Sequence, residues 1–217
     1  IGGPSEERTA DIECVYEYRT SDDKGREDVY STILQVGKRS AKFVDYSTFQ
    51  LDSARTSGAS EDQVEAFRLR EEKKAQYFDY AIFQNEPAGN MTVYGTIISD
   101  RYSYTEDSKA MKWTLADDEK TICGYQCHKA ECEYGGRKWT AWYSQDIPVS
   151  YGPWKLCGLP GLILAAEDSD GANKFEAIIL RNGASAITPV SDKNITTTTR
   201  EKFVKAKNMF ESDPMGN

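Results

Sequence analysis

The sequence has little of what most catalytic sites are made from. It contains a single histidine, no G-x-S-x-G nucleophile turn and no glycine-rich loop of the kind that cradles phosphates. A nucleophilic pair of Cys132 and His128 is disfavoured, because side chains four residues apart on a strand are roughly 13 Å distant. An enzyme is therefore the weaker functional class, and neither a catalytic residue nor a cofactor is predicted.

Long apolar runs and basic clusters are also missing. The longest apolar stretch, residues 156–166, is interrupted by Gly158, Pro160 and Gly161 and falls short of the roughly 20 residues that cross a bilayer. The net charge is -8, and no run of Lys and Arg is present that would neutralise phosphates. Nucleic acid is therefore disfavoured as a partner, and no transmembrane segment is predicted.

The cysteine spacing argues against a metal site. Cys127 and His128 are neighbours on a predicted strand and point to opposite faces, while Cys123 lies about 13 Å from Cys127 in an extended chain. Zinc needs ligands that converge at roughly 2.0–2.3 Å. No metal site is predicted, and five cysteines beside one histidine favour an oxidising compartment.

The same distances limit the possible disulfides. Bridged cysteines have Cα atoms roughly 4.4–6.8 Å apart, so Cys123, Cys127 and Cys132 cannot pair with one another along one strand. Their possible partners are Cys14 and Cys157. At most two bridges form, and at least one of the three strand cysteines stays free.

Alternating apolar and polar residues predict a mainly β protein. Short turns rich in Gly, Asp, Asn and Ser separate the strands, which favours a curved antiparallel meander, a half-barrel or open barrel, over a parallel α/β sheet. The length suits a single domain over residues 1–217, with flexible ends at 1–9 and 211–217. Strands are predicted at Ile12 to Tyr18, Thr32 to Val36, Ala41 to Val44, Tyr80 to Phe83, Met91 to Ile97, Tyr102 to Thr105, Met111 to Leu115, Leu162 to Ala166 and Phe175 to Leu180.

Two helices are predicted. The first, over about 60–76, begins with a capping box of Ser60 and Gln63, and its acidic start and basic end complement the helix dipole. Its apolar stripe is thin, so we expect it on the surface.

The second helix, over about 199–210, follows a capping pattern of Thr198 and Glu201. Phe203, Ala206 and Phe210 share one face at helical spacing. We expect that face to dock on the sheet.

A central hairpin is predicted around Gly135 and Gly136. A two-residue Gly-Gly loop is a strong hairpin signal, because both residues can adopt positive φ. The resulting register pairs Glu133 with Lys138, a favourable cross-strand ion pair. It also pairs Tyr134 with Arg137, Cys132 with Trp139, Lys129 with Trp142, His128 with Tyr143 and Cys127 with Ser144.

Trp142 is the unusual residue of this hairpin. Alternation places Trp139 on the core face and Trp142 on the polar face beside Lys129. Trp142 is expected either to pack against Lys129 as a cation–π pair or to line a ligand cleft. The packing interpretation is favoured, since Trp usually contributes through buried area.

The segment after the hairpin has the most unusual composition. Residues 139–164 hold three Trp, three Pro and three Gly, and Leu159-Pro160-Gly161 is typical of a type II turn with Gly161 at positive φ. Trp154, Leu156, Leu159, Pro160 and Leu162 are expected either to plug one end of the sheet or to form an apolar rim that receives a ligand or partner.

The hexapeptide Gly158 to Ile163 resembles the signature of the GLPGLI family, a group of exported bacterial proteins without an established activity. Further matching positions extend over about 111–180, among them Gly124 to Cys127, Trp139 to Tyr143 and Gly152 to Trp154. The resemblance implies export, and it supplies no catalytic or binding residues.

The resemblance also implies a disulfide. Sequences of this family tend to carry both Cys127 and Cys157, so a bridge between them is the first choice. Cys14 is then left to pair with Cys132 or Cys123, or to stay reduced.

Taken with the fold, these features predict a non-enzymatic binding or carrier module. An aromatic, apolar cleft built from Trp142, Lys129 and the loop from Trp154 to Leu162 is expected to hold a lipid or a hydrophobic peptide. Lipid-carrying half-barrels of the bacterial envelope provide a fold-level analogy.

Two alternatives remain beside the carrier. One is a protein-interaction subunit of an envelope assembly that docks through the same loop, and the other is a purely structural role. The chain begins at Ile1, which fits a removed signal peptide and a periplasmic or surface location.

Overall fold

The computed structural model describes residues 8–71, 73, 76–190 and 192–212. In these residues twelve strands form one sheet, and three α-helices and a short 3-10 helix, Ser108–Ala110, accompany it. The strands are β1 Ile12–Ser21, β2 Glu27–Val36, β3 Ala41–Asp45, β4 Tyr80–Gln84, β5 Asn90–Ile97, β6 Asp100–Asp107, β7 Thr114–Ile122, β8 Tyr125–Tyr134, β9 Arg137–Ser144, β10 Leu162–Asp168, β11 Asn173–Asn182 and β12 Ile195–Thr197. The helices are α1 Tyr46–Thr56, α2 Glu61–Glu71 and α3 Arg200–Ser212.

The sheet consists of two meanders joined in the middle. Its strand order is β12-β6-β5-β4-β3-β2-β1-β11-β10-β9-β8-β7, so β1 and β11 link the first meander to the second. All pairs are antiparallel except β12 with β6, which are parallel. The prediction of a mainly β, antiparallel, open sheet is confirmed, with one parallel edge strand added.

Side-chain contacts show how strongly the sheet curves. β6 and β8 lie nine positions apart in the strand order, which would separate them by roughly 43 Å in a flat sheet. Yet the Tyr134 hydroxyl on β8 donates to Glu106 Oε2 on β6 at 3.1 Å. The sheet therefore curls until its two halves meet through side chains, without closing into a barrel.

The two faces of the sheet have different coverings. On the inner face, α3 and the loop between β9 and β10 pack on the larger core cluster, which includes Trp139, Phe175 and Phe203. On the outer face, α1 places Phe49 in a smaller cluster with Ile33 and other strand residues. The inner face is therefore where loop, helix and sheet converge.

The predicted hairpin register is confirmed. Tyr134 pairs with Arg137, Glu133 with Lys138 and Lys129 with Trp142, and pairing continues to His128 with Tyr143. Gly135 and Gly136 both have positive φ, at 62° and 75°. The ladder ends at His128 with Tyr143, so the expected pair of Cys127 with Ser144 lies beyond it.

The helix predictions are partly correct. The capping box forms at α2, where Ser60 N donates to Gln63 Oε1 at 3.0 Å and Gln63 N donates to Ser60 Oγ at 3.3 Å. No residue of α2 is buried, as expected for a surface helix. The helix ends at Glu71, while residues 72, 74 and 75 of the predicted range lie outside the described residues.

The second predicted helix is displaced by one residue at its start. Thr199, not Thr198, accepts the bond from Lys202 N at 3.3 Å. Phe203 is buried as predicted and Phe210 packs partly against the core, but Ala206 is exposed and Val204 takes its place. Helix α1 was not predicted.

Other boundaries also needed correction. Residues 111–113 of one predicted strand are irregular, and β7 continues through the acidic segment 117–119 beside a register shift. At the termini, Thr9 bridges Ala186 and residues 211–212 belong to α3. The remaining residues predicted to be flexible, 1–7 and 213–217, lie outside the described residues.

Candidate functional site

A buried glutamine fixes the loop between β9 and β10, residues 145–161, which we call the signature loop. Gln84 of β4 is fully buried, and its Nε2 donates to the carbonyl oxygens of Gly152 at 2.7 Å and Trp154 at 2.8 Å. Gly152 N donates back to Gln84 Oε1 at 3.3 Å. This clamp holds Trp154 at a φ of 54°, a left-handed conformation that costs a non-glycine residue roughly 1–2 kcal/mol.

The clamp positions the Trp154 indole among aromatic rings of the inner face. Its ring centre lies 5.5 Å from that of Trp139 and 5.8 Å from that of Tyr134. Trp139 in turn lies 6.3 Å from Phe175, which stacks on Tyr18 at 4.3 Å. These distances fall in the range in which aromatic pairs stabilise one another.

Helix α3 forms the other wall of a cleft over these rings. The cleft has a volume of about 390 Å³, and nine of its lining residues are aromatic. They are Tyr18, Phe78, Tyr80, Tyr104, Tyr134, Trp139, Trp154, Phe175 and Phe203. From α3 the lining also includes Arg200, Val204, Lys207, Asn208 and Glu211.

Phe203 attaches α3 to the sheet. It is 2% exposed, and its ring lies 5.4 Å from Tyr104 and 6.4 Å from Tyr80. The ring fits because Gly95 of β5 lies directly beneath it, where a Cβ atom would come within 2.5 Å of Phe203 Cζ. The aromatic cleft therefore depends on a glycine in the middle of a strand.

A charged cluster lies at one end of the cleft. Glu106 accepts from Lys155 Nζ at 2.8 Å and faces Arg200 Nε at 2.8 Å, while Tyr134 donates to it. The side chains of Lys155 and Glu106 are only 8% and 11% exposed. Lys155 Nζ also contacts the Tyr104 hydroxyl at 3.1 Å.

Burial sets the protonation of this cluster. It lowers the pKa of the Lys155 ammonium, and the neighbouring Glu106 carboxylate opposes that change. Burial and the Glu106 charge both raise the pKa values of the Tyr134 and Tyr104 hydroxyls. Both tyrosines are therefore neutral near pH 7.

Of the seven residues predicted to bind a ligand, only Trp154 lines this cleft. Trp142 is partly buried, and strand alternation places it on the opposite face of β9 from Trp139. The cation over its ring is Lys120, at 4.4 Å, and not Lys129 as expected. Lys129 instead faces Asp118 at 3.7 Å and Glu131 at 3.6 Å.

The leucine side chains in the signature loop, and the one that follows it in β10, are buried. Leu156, Leu159 and Leu162 are at most 1% exposed, whereas Pro160 is exposed. The expected positive φ belongs to Gly158, at 95°, and not to Gly161. Gly161 is required for another reason, because a Cβ there would lie 2.1 Å from the Ser144 carbonyl oxygen.

All five cysteines are thiols in the structure. Burial raises the pKa of Cys127, Cys132 and Cys157 to about 11 and that of Cys14 to about 12. Cys123 is the exposed thiol. The Cys127–Cys157 bridge stays a prediction.

A second depression, of about 670 Å³, lies on another side of the signature loop. Its lining combines exposed lysines, Lys109 and Lys112, with the apolar side chains of Met111 and Val149 and the buried Cys157. We favour the smaller cleft, because nine of its lining side chains are aromatic.

The sequence did not reveal three of the important side chains. Glu106, Lys155 and Arg200 come from β6, the signature loop and α3, and only the curvature of the sheet brings them together. Lys155 stands next to the predicted Trp154, but no pattern separates it from an ordinary surface lysine. Within the described part of the chain, no group of three or more His, Cys, Asp or Glu residues could hold a metal ion.

Comparison with known proteins gives a local match to one family model. Residues 135–165 match the model of a family described as "Protein of unknown function (Porph_ging)". This match is consistent with the GLPGLI resemblance, so the recognition is confirmed for the hairpin and the signature loop. No curated protein matches the sequence significantly.

Two crystal forms of one protein share the fold. PNGF-II, in two crystal forms, is similar with a TM-score of 0.59 and 15% identity, over 92% and 90% of this chain and 33% and 32% of the PNGF-II chain. The chain therefore spans about a third of that protein's length. A LolA superfamily protein from Nitrosomonas europaea aligns over 87% of this chain and 91% of its own, with a TM-score of 0.33 and 11% identity.

Proposed function

We propose that the protein is a non-enzymatic binding or carrier protein that holds a hydrophobic small molecule between α3 and the inner face of the sheet. The observation that carries this proposal is the cleft of about 390 Å³ with nine aromatic side chains. Small-molecule sites commonly measure roughly 300–1,000 Å³ and are mostly apolar with a few polar groups. We further propose that the protein is exported, as the resemblance to the GLPGLI family implies. None of the helices in the described residues has the length and apolar character that a membrane span needs.

The support lies in how the cleft is maintained. Trp154 is held in a strained backbone conformation by Gln84, and such strain is most common at functional sites. Phe203 and Gly95 fit together so that α3 stands over the rings. A simple core would favour closer packing of α3, because burying apolar area stabilises the fold.

A docking role for the signature loop has less support. Leu156, Leu159 and Leu162 are buried, so the loop offers little apolar surface to a partner protein. The expected hydrophobic ligand therefore belongs to the cleft under α3 and not to a rim formed by these leucines.

A substitution that fills the cleft tests the proposal while it leaves the core side chains in place. Val204 lines the cleft, and its neighbour Lys205 is exposed, so Val204→Trp and Lys205→Trp add the same indole to the same helix in different places. The probe is N-phenyl-1-naphthylamine, an uncharged aromatic molecule whose fluorescence rises in apolar surroundings. Near-UV circular dichroism of both variants checks that the fold is kept.

We expect saturable binding of this probe by the wild type and by Lys205→Trp. For Val204→Trp we expect affinity lower by about tenfold or more, because the indole occupies the space of the probe. Absence of saturable binding by the wild type, or equal affinities for the two variants, would refute the proposal.

A further inference from the structure

We propose that the molecule held in the cleft is a small organic acid, with an apolar body against the aromatic rings and an anionic group against Lys155 and Arg200. The inference rests on the proposed function, because it names the chemical class of ligand for the same cleft. Nothing in the sequence patterns pointed to an anion, since the chain as a whole carries a net charge of -8.

The first support is the charge of the lining. Four basic residues, Arg137, Lys155, Arg200 and Lys207, line the cleft against a single acidic one, Glu211. The positive charge of Arg137 is balanced by Asp168, which is not a lining residue, because Arg137 Nη1 lies 2.7 Å from Asp168 Oδ2. A locally basic cleft on an acidic protein attracts anions toward the site.

The second support is the composition of the charged cluster. Lys155 and Arg200 share one carboxylate, Glu106, at 2.8 Å each. Two cations and one anion leave one positive charge in excess at the end of the cleft. Lys155 is largely removed from water, so a charge there interacts more strongly than it would on the surface.

The third support is the geometry around the amine. Lys155 Nζ lies 5.4 Å from the Trp154 ring centre and 5.1 Å from that of Tyr104. Burial lowers the pKa of this ammonium, and an anion placed beside it would favour the charged form, as Glu106 does. A ligand acid and Glu106 would then satisfy the two cations together.

The volume limits the size of the ligand. About 390 Å³ lies near the lower end of the range for small-molecule sites, so one compact body fits and a lipid with two or more long chains does not. An aromatic acid or a single short alkyl chain with a terminal acid meets both requirements.

Two probes with one shared body test the inference. 8-Anilinonaphthalene-1-sulfonate carries a sulfonate on the same phenylnaphthylamine frame that is uncharged in N-phenyl-1-naphthylamine. Both are titrated against the wild type, Lys155→Met and Arg200→Gln. Lys174→Met is the control, because Lys174 is a half-exposed lysine paired with Glu176 and is not part of the cleft lining.

For Lys155→Met we expect affinity for the sulfonate probe to fall about tenfold, as for loss of a charge-assisted hydrogen bond. For Arg200→Gln, whose side chain is 43% exposed, we expect a loss of about threefold because solvent screens the charge. The affinities of the uncharged probe for all four proteins should agree within about a factor of two. The affinities of the sulfonate probe for the control and the wild type should agree within the same factor.

The outcomes separate the two proposals. If both probes lose affinity equally in Lys155→Met and in Arg200→Gln, or if the sulfonate probe is insensitive to both changes, the anionic class is refuted while the cleft stands. Should Lys155→Met fail to fold, Arg200→Gln decides alone. If neither probe binds the wild type saturably, the proposed function itself fails.

Discussion

The contact between Gly95 and Phe203 gives a quantitative test of how α3 is held over the cleft. A Cβ atom at position 95 would lie 2.5 Å from Phe203 Cζ, 3.2 Å from Phe203 Cε2 and 3.0 Å from Tyr80 Cε1. Phe203 is 2% exposed, its ring lies 6.0 Å from that of Tyr102 and 5.4 Å from that of Tyr104, and it also lines the cleft. Gly95→Ala must therefore displace the helix or the ring.

The magnitude follows from two opposing effects. Replacing a strand glycine with alanine normally stabilises by roughly 0.5–1 kcal/mol, whereas overpacking a core costs about 1–3 kcal/mol. We expect a net loss of about 1–2 kcal/mol in the free energy of unfolding for Gly95→Ala. Because α3 moves, the affinity for N-phenyl-1-naphthylamine should fall as well.

A double-mutant cycle isolates the contact. Phe203→Ala alone should cost about 3–5 kcal/mol. In that background Tyr80 Cε1, at 3.0 Å, is the close contact that remains for a Cβ at position 95, and the Tyr80 ring can move into the space that Phe203 leaves. There Gly95→Ala should be neutral or stabilising by up to about 1 kcal/mol. Urea unfolding of the four proteins measures the cycle, and an equal loss from Gly95→Ala in both backgrounds would refute the reasoning.

Three further predictions concern the thiols and the signature glycines. In the native protein one thiol, Cys123, should react rapidly with a thiol reagent. After unfolding without reductant, three thiols should react if the Cys127–Cys157 bridge forms. Five reactive thiols would exclude that bridge. Burial raises the pKa of the buried thiols to about 11–12 from the ordinary value of 9.0, so these thiols ionise at lower pH in the unfolded state than in the folded state. The free energy of unfolding should therefore fall as pH rises above 9, by up to about 1.4 kcal/mol per thiol and pH unit. A free energy of unfolding that stays unchanged up to pH 11 would contradict this. Gly161→Ala should lower the free energy of unfolding by more than about 3 kcal/mol, because its Cβ meets backbone atoms. Gly158→Ala should lower it by only about 1–2 kcal/mol, because the alanine must adopt a positive φ. A lower urea midpoint for Gly158→Ala than for Gly161→Ala would show that the account of the motif is wrong.

Local patterns predicted the elements that depend on neighbouring residues. The hairpin register followed from two glycines, and the α2 capping box from Ser60 and Gln63, because each pattern is complete within a few residues. Most strands were found for the same reason, since the apolar period of two is set by the pleat itself.

Elements that depend on distant contacts were missed. Helix α1 has a weak apolar stripe and is held from outside, for example by Lys42 Nζ at 2.8 Å from Asp52 Oδ2. β12 is three residues long and exists through its pairing with β6. β12 has no sequence signal of its own, and α1 has little beyond its N-cap, Asp45, which accepts from Ser47 N at 2.8 Å.

Of the residues predicted to bind a ligand only Trp154 lines the cleft, for a related reason. The aromatic residue Trp154 stood out by composition, but so did Trp142, and only the curvature of the sheet decides which one meets α3. Glu106, Lys155 and Arg200 are far apart in the chain and become neighbours only when the two halves of the sheet approach. Such convergence cannot be read from spacing along the sequence.

The position of bound N-phenyl-1-naphthylamine tests the central claim most directly. Nuclear Overhauser effects between the probe and the protein identify the side chains that contact it. The account predicts contacts to the Val204 methyl groups and the Trp154 indole, which line the cleft under α3. Contacts instead to Met111 and Val149, which line the depression beyond the signature loop, would contradict it.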